Sequence, residues 1–223
     1  MGFFMFVIIT LIIYFALNQI PFIKESNKAP EVNKKRLDEI ISKSGAKGEK
    51  FILPNCLSAA ILDKEKEKVY IYSVKERDLN NQCSYKYHSF DFSDIIEAET
   101  IINNTTVTKT SRGSQIAGTA IGGALLGGVG AVIGGLSGTK VGDENILEAK
   151  IKLTIDNMSK PVHNIIFLNN ESKNYTKFKN GYKKGSYQYN QLIPQLEKWQ
   201  GMFDVILKNN NWFILHCKNI KGD

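Results

Sequence analysis

The chain has 223 residues and a formal net charge of +7. Its length suits one packed domain of ordinary size plus two uncharged segments, and its charge favours an acidic partner, most simply an anionic lipid surface. The cysteines are too few and too scattered for a disulfide framework or a zinc site, and free thiols suit a reducing compartment. They are Cys56, Cys83 and Cys217.

The first 23 residues carry no charged side chain. A helix over residues 3–23 is about 31 Å long, enough to cross the hydrocarbon core of a bilayer. We interpret residues 1–23 as an uncleaved transmembrane anchor. The alternative is a cleaved signal peptide, which we disfavour because no Lys or Arg precedes the apolar run and no small-residue cleavage pattern accompanies it.

Residues 24–50 are rich in lysine and are predicted to form a basic linker with a short helix. Basic residues just after a span place that side in the cytoplasm, so we expect a single-pass cell-membrane protein whose soluble domain faces the cytoplasm. The helix is predicted over residues 32–44, with Leu37, Ile40 and Ile41 on one face and Gly45 as its stop. We interpret it as a solvated linker helix in preference to a partner-binding helix.

From residue 51 the apolar residues alternate with a period of two, which is typical of half-buried strands. Hairpin turns are predicted at residues 63–66 and at Asn103-Asn104. The seven strand-like runs are 57–62, 69–74, 84–90, 95–102, 105–110, 146–155 and 162–168.

A long helix is predicted after the last strand, because apolar residues there share one helical face. Pro194 is expected in its first turn or at a kink. Residues 209–223 form a tail whose apolar run, 212–217, fits either an edge strand or an arm packed on a helix. The residues of the apolar face are Tyr189, Leu192, Ile193, Leu196, Trp199, Phe203 and Ile206.

An uncharged glycine-rich run, 114–139, separates the fifth and sixth strand-like runs, with Arg112 and Lys140 on either side. Small residues three or four apart share a helical face and let two helices approach closely, as in membrane helix pairs. We therefore predict a glycine zipper. Its residues are Gly118, Gly122, Gly123, Gly127, Gly130, Gly134 and Gly138.

The shape expected for this insert, residues 113–140, depends on how the flanking strands pair. If they are neighbours, their ends lie about 5 Å apart, whereas one continuous helix over residues 116–138 would separate them by about 34 Å. The insert is then a helical hairpin that turns at Gly127-Gly128. It either enters the bilayer or folds over the domain without lipid contact; a second full span is the rival.

Seven short strands closed by an amphipathic helix is the pattern of a pleckstrin-homology-like barrel. The chain resembles bacterial pleckstrin-homology-like proteins that carry a glycine-zipper insert between two strands. The resemblance rests on the strand motifs of residues 68–110, the Thr-Ser-Arg-Gly-Ser lead into the glycine run, and a final helix with Trp199. It implies a mainly β (α+β) domain over residues 51–208, a seven-stranded barrel with a C-terminal capping helix, and no general catalytic residues.

Residues 173–184 combine five lysines with interleaved aromatics and no acidic residue. This composition suits an anionic membrane surface, with lysines at headgroups and aromatics at the interface. A solvated loop is the plain alternative, and nucleic acid is less favoured because no base-reading element is present. The residues predicted to contact lipid or a membrane protein partner are Lys173, Lys177, Phe178, Lys179, Tyr182, Lys183 and Lys184.

No catalytic constellation stands out. Gly138-Thr139-Lys140 lacks the spacing of a phosphate-binding loop, and neither His88 nor His163 has a Cys or carboxylate at metal-ligand spacing. The acidic residues between 91 and 99 fit a solvated face. We therefore predict no enzyme, metal or cofactor, with a hydrolase as a distant third reading. The chain is either a binding module or a structural glycine-zipper protein that forms a membrane-associated oligomer or perturbs the bilayer.

Overall fold

The computed structural model describes residues 8–12, 14, 29–112, 145–169 and 181–219, with side chains as far as residue 209. All seven predicted strand runs correspond to strands. The structure adds an eighth, the first in the chain, whose four residues show no clear alternation in the sequence. In chain order the elements are helix α1 (Ala29–Ser44), strands β1 (Glu49–Ile52), β2 (Ser58–Asp63), β3 (Lys68–Arg77) and β4 (Cys83–Asp91), the 3-10 helix η1 (Phe92–Asp94), strands β5 (Ile95–Ile102), β6 (Thr105–Ser111), β7 (Ala149–Ile155) and β8 (Val162–Leu168), and helix α2 (Tyr187–Asn219).

The strands form two antiparallel four-stranded sheets instead of the closed seven-stranded barrel that we expected. Sheet A has the order β1-β2-β3-β4, and sheet B has the order β6-β5-β7-β8. If β6 is left out, each sheet is a meander of strands in chain order: β1 to β4 in sheet A, and β5, β7 and β8 in sheet B, followed by α2. Strand β6 and the insert therefore interrupt the connection from β5 to β7.

The two strands that flank the insert are not neighbours, which corrects the premise of the predicted hairpin. Strands β6 and β7 lie on opposite edges of β5, and both are antiparallel to it, so they run parallel to each other. Parallel strands need a crossover connection, not a tight turn. Ser111, at the end of β6, pairs with Glu97, whereas Ala149, at the start of β7, pairs with Ile102. Ser111 and Ala149 therefore lie about 19 Å apart, since they are separated both along the strands and across the width of the sheet. This separation no longer requires the insert to double back.

The main core lies between the two sheets and α2. Strand β7 shows the alternation expected from its sequence, with Ile151 and Leu153 buried and Lys150 and Lys152 on the outer face. Helix α2 covers sheet B with Trp199, which is fully buried. The predicted apolar face of α2 is confirmed, with Tyr189 only partly buried: the other apolar residues that the helix buries are Leu192, Ile193, Leu196, Phe203, Ile206 and Leu207.

Helix α1 is not the solvated linker helix that we expected, because it covers the outer face of sheet A. Leu37 is fully buried there against Tyr70 and Tyr72. Asn33 accepts a hydrogen bond from the backbone N–H of Cys83 at 2.7 Å. Consequently every residue of β2 is buried, since one face meets the main core and the other meets α1. The predicted stop at Gly45 is confirmed by its left-handed φ of 64°.

The ends of the chain are only partly described. Among the described residues, no helix is both long and apolar enough to span a membrane. The predicted anchor, residues 1–23, lies outside them except for residues 8–12 and 14, and the insert, 113–140, lies wholly outside. Helix α2 continues through Asn219, so the expected tail is helical there and is not an edge strand. Pro194 lies inside this helix beyond its first turn.

Candidate membrane-facing site

The chain that returns from the insert is hydrogen-bonded to the end of the lysine-rich segment. Ile146 and Tyr182 form an antiparallel bridge in which each backbone N–H donates to the other's carbonyl oxygen at 2.9 Å. Gly181 has a φ of +75°, and a Cβ there would lie 2.4 Å from the carbonyl oxygen of Ile146. Only glycine fits this close approach without strain. The chain that follows the insert therefore meets the end of the lysine-rich segment at one end of sheet B.

The turn between β5 and β6 holds the same returning segment. The Asn103 side chain accepts hydrogen bonds from the N–H groups of Leu147, at 2.8 Å, and Glu148, at 3.2 Å. Its own amide donates to the carbonyl of Asn145 at 3.0 Å. Asn103 and Asn104 both have positive φ, as expected for a two-residue hairpin turn, so the predicted turn is confirmed.

The departing end of the insert is held at the opposite end of sheet B. The guanidinium of Arg112 donates to the carbonyl oxygens of Ser93 and Ile95, and the backbone N–H of Arg112 donates to Ile96 at 2.8 Å. The insert is thus tied to the domain at two separate points, Arg112 and the segment beside Asn103.

The predicted contact residues that the structure describes differ from one another. The Lys183 and Lys184 side chains are exposed, just before Ser186 accepts a hydrogen bond from the Tyr189 N–H and so caps α2. The Tyr182 ring packs partly against the main core, and this burial raises the pKa of its hydroxyl. The other predicted contacts, Lys173, Lys177, Phe178 and Lys179, and all the predicted zipper glycines lie outside the described residues.

An ion-pair network joins β5, β6 and β7 on the outer face of sheet B. The Glu99 carboxylate lies 2.8 Å from Lys152 and 3.6 Å from Lys109, and Lys109 lies 2.7 Å from Glu97. Burial opposes ionisation of Glu99, but the hydrogen bond to Lys152 and the charges of Lys152 and Lys109 outweigh it and lower the pKa of Glu99 to about 2. Glu99 is only 6% exposed, so the expectation of a solvated acidic face is wrong at this residue.

Two histidines that are distant in sequence face each other between the sheets. The rings of His88 on β4 and His163 on β8 lie 5.3 Å apart, and the Phe90 ring lies 4.3 Å from His163. Burial, followed by the charges of Lys160 and Lys86, lowers the pKa of His88, and burial also lowers that of His163. In the part of the chain that the structure describes, no group of three or more His, Cys, Asp or Glu side chains could hold a metal ion.

A groove that the sequence analysis missed runs between α2 and the turn joining β2 to β3. Its volume is about 660 Å³, and η1 contributes Phe92 to its wall. The signals in the sequence were weak: Gly201 lies within a helix, and Met202 and Val205 are apolar residues off the predicted face. Three separate elements form the groove, so no local pattern marks it.

Comparisons with known proteins agree with this architecture. The family model described as a glycine zipper containing PH domain matches residues 49–169, from the start of β1 to the end of β8. A protein of Bacillus phage SPbeta named immunity protein is 36% identical over 139 residues, which are 62% of this chain and 66% of that protein. The SPbeta prophage-derived uncharacterized membrane protein YomJ of Bacillus subtilis (strain 168) is also 36% identical over 139 residues.

That second alignment covers 62% of this chain and 59% of YomJ, so the chain spans somewhat less than two thirds of either relative. No solved structure matches the chain. The family model covers more than half of the chain, and its description agrees with the two sheets, α2 and the interposed glycine run. The chain therefore belongs to the family of glycine zipper containing PH domains.

Proposed function

We propose that the chain is a non-enzymatic, membrane-anchored binding module whose lysine-rich segment engages anionic lipid. The observation that carries the proposal is the Ile146–Tyr182 bridge, which fixes the end of residues 173–184 beside the return of an uncharged, glycine-rich insert. Lysines near an anionic bilayer contribute about 1 kcal/mol each to binding. The chain that returns from the insert and the cationic segment thereby lie at the same end of the domain, opposite to the end from which the insert departs.

The anchoring part of the proposal rests on residues 1–23 and on the basic residues that follow. Residues 8–12 are helical, and the apolar side chains among them are exposed, as expected for a segment that meets lipid. The relative YomJ is named a membrane protein. We propose a single span with the domain in the cytoplasm; protease added outside intact cells should then leave the domain whole, and its digestion would reject this orientation.

The lipid contact is tested with the full chain in vesicles that contain a photoreactive phosphatidylglycerol. Crosslinks should concentrate between residues 173 and 187 and weaken at high salt, because ions screen exposed charges. Changing Lys183 and Lys184 to Gln removes two charges and should reduce crosslinking by about ten- to thirtyfold if each contributes about 1 kcal/mol.

The matched control changes the exposed Lys75 and Lys86 to Gln, which alters net charge equally on sheet A. This control should leave crosslinking unchanged. Equal losses in both double variants would mean that overall charge attracts the chain and that residues 173–184 form no specific contact surface.

The second candidate function is a structural role in which glycine zippers join copies of the chain into a membrane-associated oligomer. The recurrent glycine spacing favours it. Replacing Gly122, Gly127 and Gly134 together by Leu should abolish crosslinks between copies, because branched side chains overfill a glycine interface. Unchanged or stronger crosslinks would reject the zipper.

The relative from phage SPbeta suggests the biological setting, since it is named an immunity protein. We propose that membrane binding by this chain serves immunity as well. Bacillus cells expressing the chain should then show fewer plaques when challenged with phage SPbeta than cells expressing the Lys183 and Lys184 double variant. Equal plaque numbers with and without the chain would contradict an immunity role against this phage.

A further inference from the structure

The groove beside α2 has the size and composition of a ligand site. Its volume of about 660 Å³ lies within the range of about 300–1,000 Å³ found for small-molecule pockets, which are mainly apolar with a few polar groups. The apolar side chains that line it come from β2, η1 and α2, and they are Leu62, Phe92, Met202, Val205 and Ile206.

Helix α2 presents two unusual residues to this groove. Val205 is apolar yet 58% exposed. Gly201 lies in the helix interior, where glycine is unfavourable, and a Cβ added there would meet no atom within 4 Å. Close packing therefore does not require glycine at this position. Its structural effect is to leave the groove wider than any other residue would.

The groove also has cations at its rim. Lys64 is exposed, and within the described part of the chain it forms no ion pair. The ammonium of Lys198 lies 2.8 Å from the carboxylate of Glu49. Glu67 is the single carboxylate of the lining. An anion beside Lys64 would meet an ammonium group for which no ion pair is described, while its apolar part lies against Met202 and Val205.

We propose that this groove binds one long-chain fatty carboxylate, with the acyl chain along α2 and the carboxylate at Lys64. The proposal does not depend on the membrane-facing site, because Lys198 lies 11 residues, about 16 Å, beyond the start of α2 at Tyr187. An apolar wall with a cationic rim matches an anionic amphiphile and neither a neutral lipid nor a free phosphate.

The test labels the full chain in vesicles with a photoreactive palmitate analogue and maps the labelled peptides. Label should appear at residues 62–67 and 198–209. Unlabelled palmitate should compete more strongly than the neutral hexadecanol, and Lys64→Gln should remove that difference. Lysophosphatidylglycerol should compete poorly, because its headgroup is bulkier than a carboxylate; equal competition would show that a membrane lipid supplies the chain and would overturn the fatty carboxylate.

Variants of Gly201 separate ligand binding from stability. Gly201→Ala should raise Tm by about 2–4 °C and retain labelling, because alanine favours the helix and its methyl group meets open space. Gly201→Leu should not lower Tm, yet it should reduce labelling about tenfold because the side chain occupies the groove. Val205→Gln, at an exposed position, should also reduce labelling by opposing an apolar chain with an amide.

The proposal is overturned if wild-type labelling is spread along the chain, or if both Gly201→Leu and Val205→Gln label like wild type. The Lys183 and Lys184 double variant should label normally at the groove. Normal groove labelling without phosphatidylglycerol crosslinks at residues 173–187 would reject the membrane-facing site alone. Normal crosslinks without groove labelling would reject the groove alone.

Discussion

Thr110 at the end of β6 donates a hydrogen bond to the Asp204 carboxylate of α2 at 2.6 Å. Gln200 donates to the same carboxylate at 2.8 Å and accepts from the Thr100 hydroxyl at 2.7 Å. Thr100, Thr110 and Gln200 are all buried. Because buried polar groups are costly unless paired, this network fixes one position of α2 along β5 and β6.

Thr110→Val should lower the free energy of unfolding by about 1–3 kcal/mol, because the Asp204 carboxylate loses a donor in a largely buried site. Thr110→Ser keeps the hydroxyl and should cost clearly less. Denaturant unfolding of the purified chain measures both changes. A larger loss in the Ser variant than in the Val variant would show that the methyl group of Thr110, not its hydrogen bond, contributes the stability.

Trp199→Ala should cost about 3–5 kcal/mol, as expected for a fully buried large aromatic residue. The ring lies 6.0 Å from Phe167 and 6.3 Å from Phe203, centre to centre. Its indole N–H has no hydrogen-bond partner among the described residues, so Trp199→Phe keeps the ring contacts and should cost less. A thermal midpoint of the Ala variant near that of wild type would show that α2 does not close the core.

Two deletions test the placement of β6. Deleting residues 103–148 and joining Ile102 to Ala149 through Asn-Gly should give a folded, less stable domain, because these two residues already pair and Asn-Gly suits a two-residue hairpin. Deleting only residues 112–148 with the same linker should unfold it or detach β6. That linker spans at most about 11 Å between Ser111 and Ala149, against the separation of about 19 Å.

Circular dichroism and the cooperativity of thermal unfolding distinguish the two deletions. A more stable product from the shorter deletion would mean that β6 and β7 are neighbours, which is the pairing that would require the insert to double back.

His88→Phe should stabilise the domain most below neutral pH. The folded state lowers the pKa of His88, so the stability contributed by the neutral ring is present above its ordinary value of 6.5 and is lost as pH falls through the folded pKa. Phenylalanine preserves the contacts with Phe90 and His163 and cannot take up a proton. Unfolding measured at pH 7.5 and 5.5 should show the larger gain at pH 5.5; a gain independent of pH would reject this linkage.

Glu99→Gln should act in a lower pH window. The folded pKa of Glu99 lies at about 2 against an ordinary value of 4.5, so its contribution is complete above pH 4.5 and declines toward pH 2. The variant should lose stability at neutral pH and show a flatter decline below pH 4.5. A variant whose acid unfolding curve has the wild-type slope would contradict this role of the Glu99–Lys152 pair.

Local periodicity predicted the strands and the buried face of α2, because both depend on the spacing of apolar residues. It could not predict that β6 forms the edge of sheet B next to β5, since strand order is decided by pairing between distant segments. The docking of α1 was marked in the sequence: Tyr70 and Tyr72 alternate with Val69 and Ile71, which leaves both faces of β3 apolar. A strand with two apolar faces requires a cover on each.

The arrangement at β5 also sets an order of folding events. The β5–β6 hairpin closes through Asn103 and Asn104 alone, and such hairpins form in about 1–10 μs. Strand β7 reaches the other edge of β5 only after residues 103–148 have closed a long loop, and that entropy cost grows with loop length. Until then β5 keeps an unpaired edge open to other chains. The interval before β7 arrives is therefore when crowded, newly made chains are most exposed to pairing with one another.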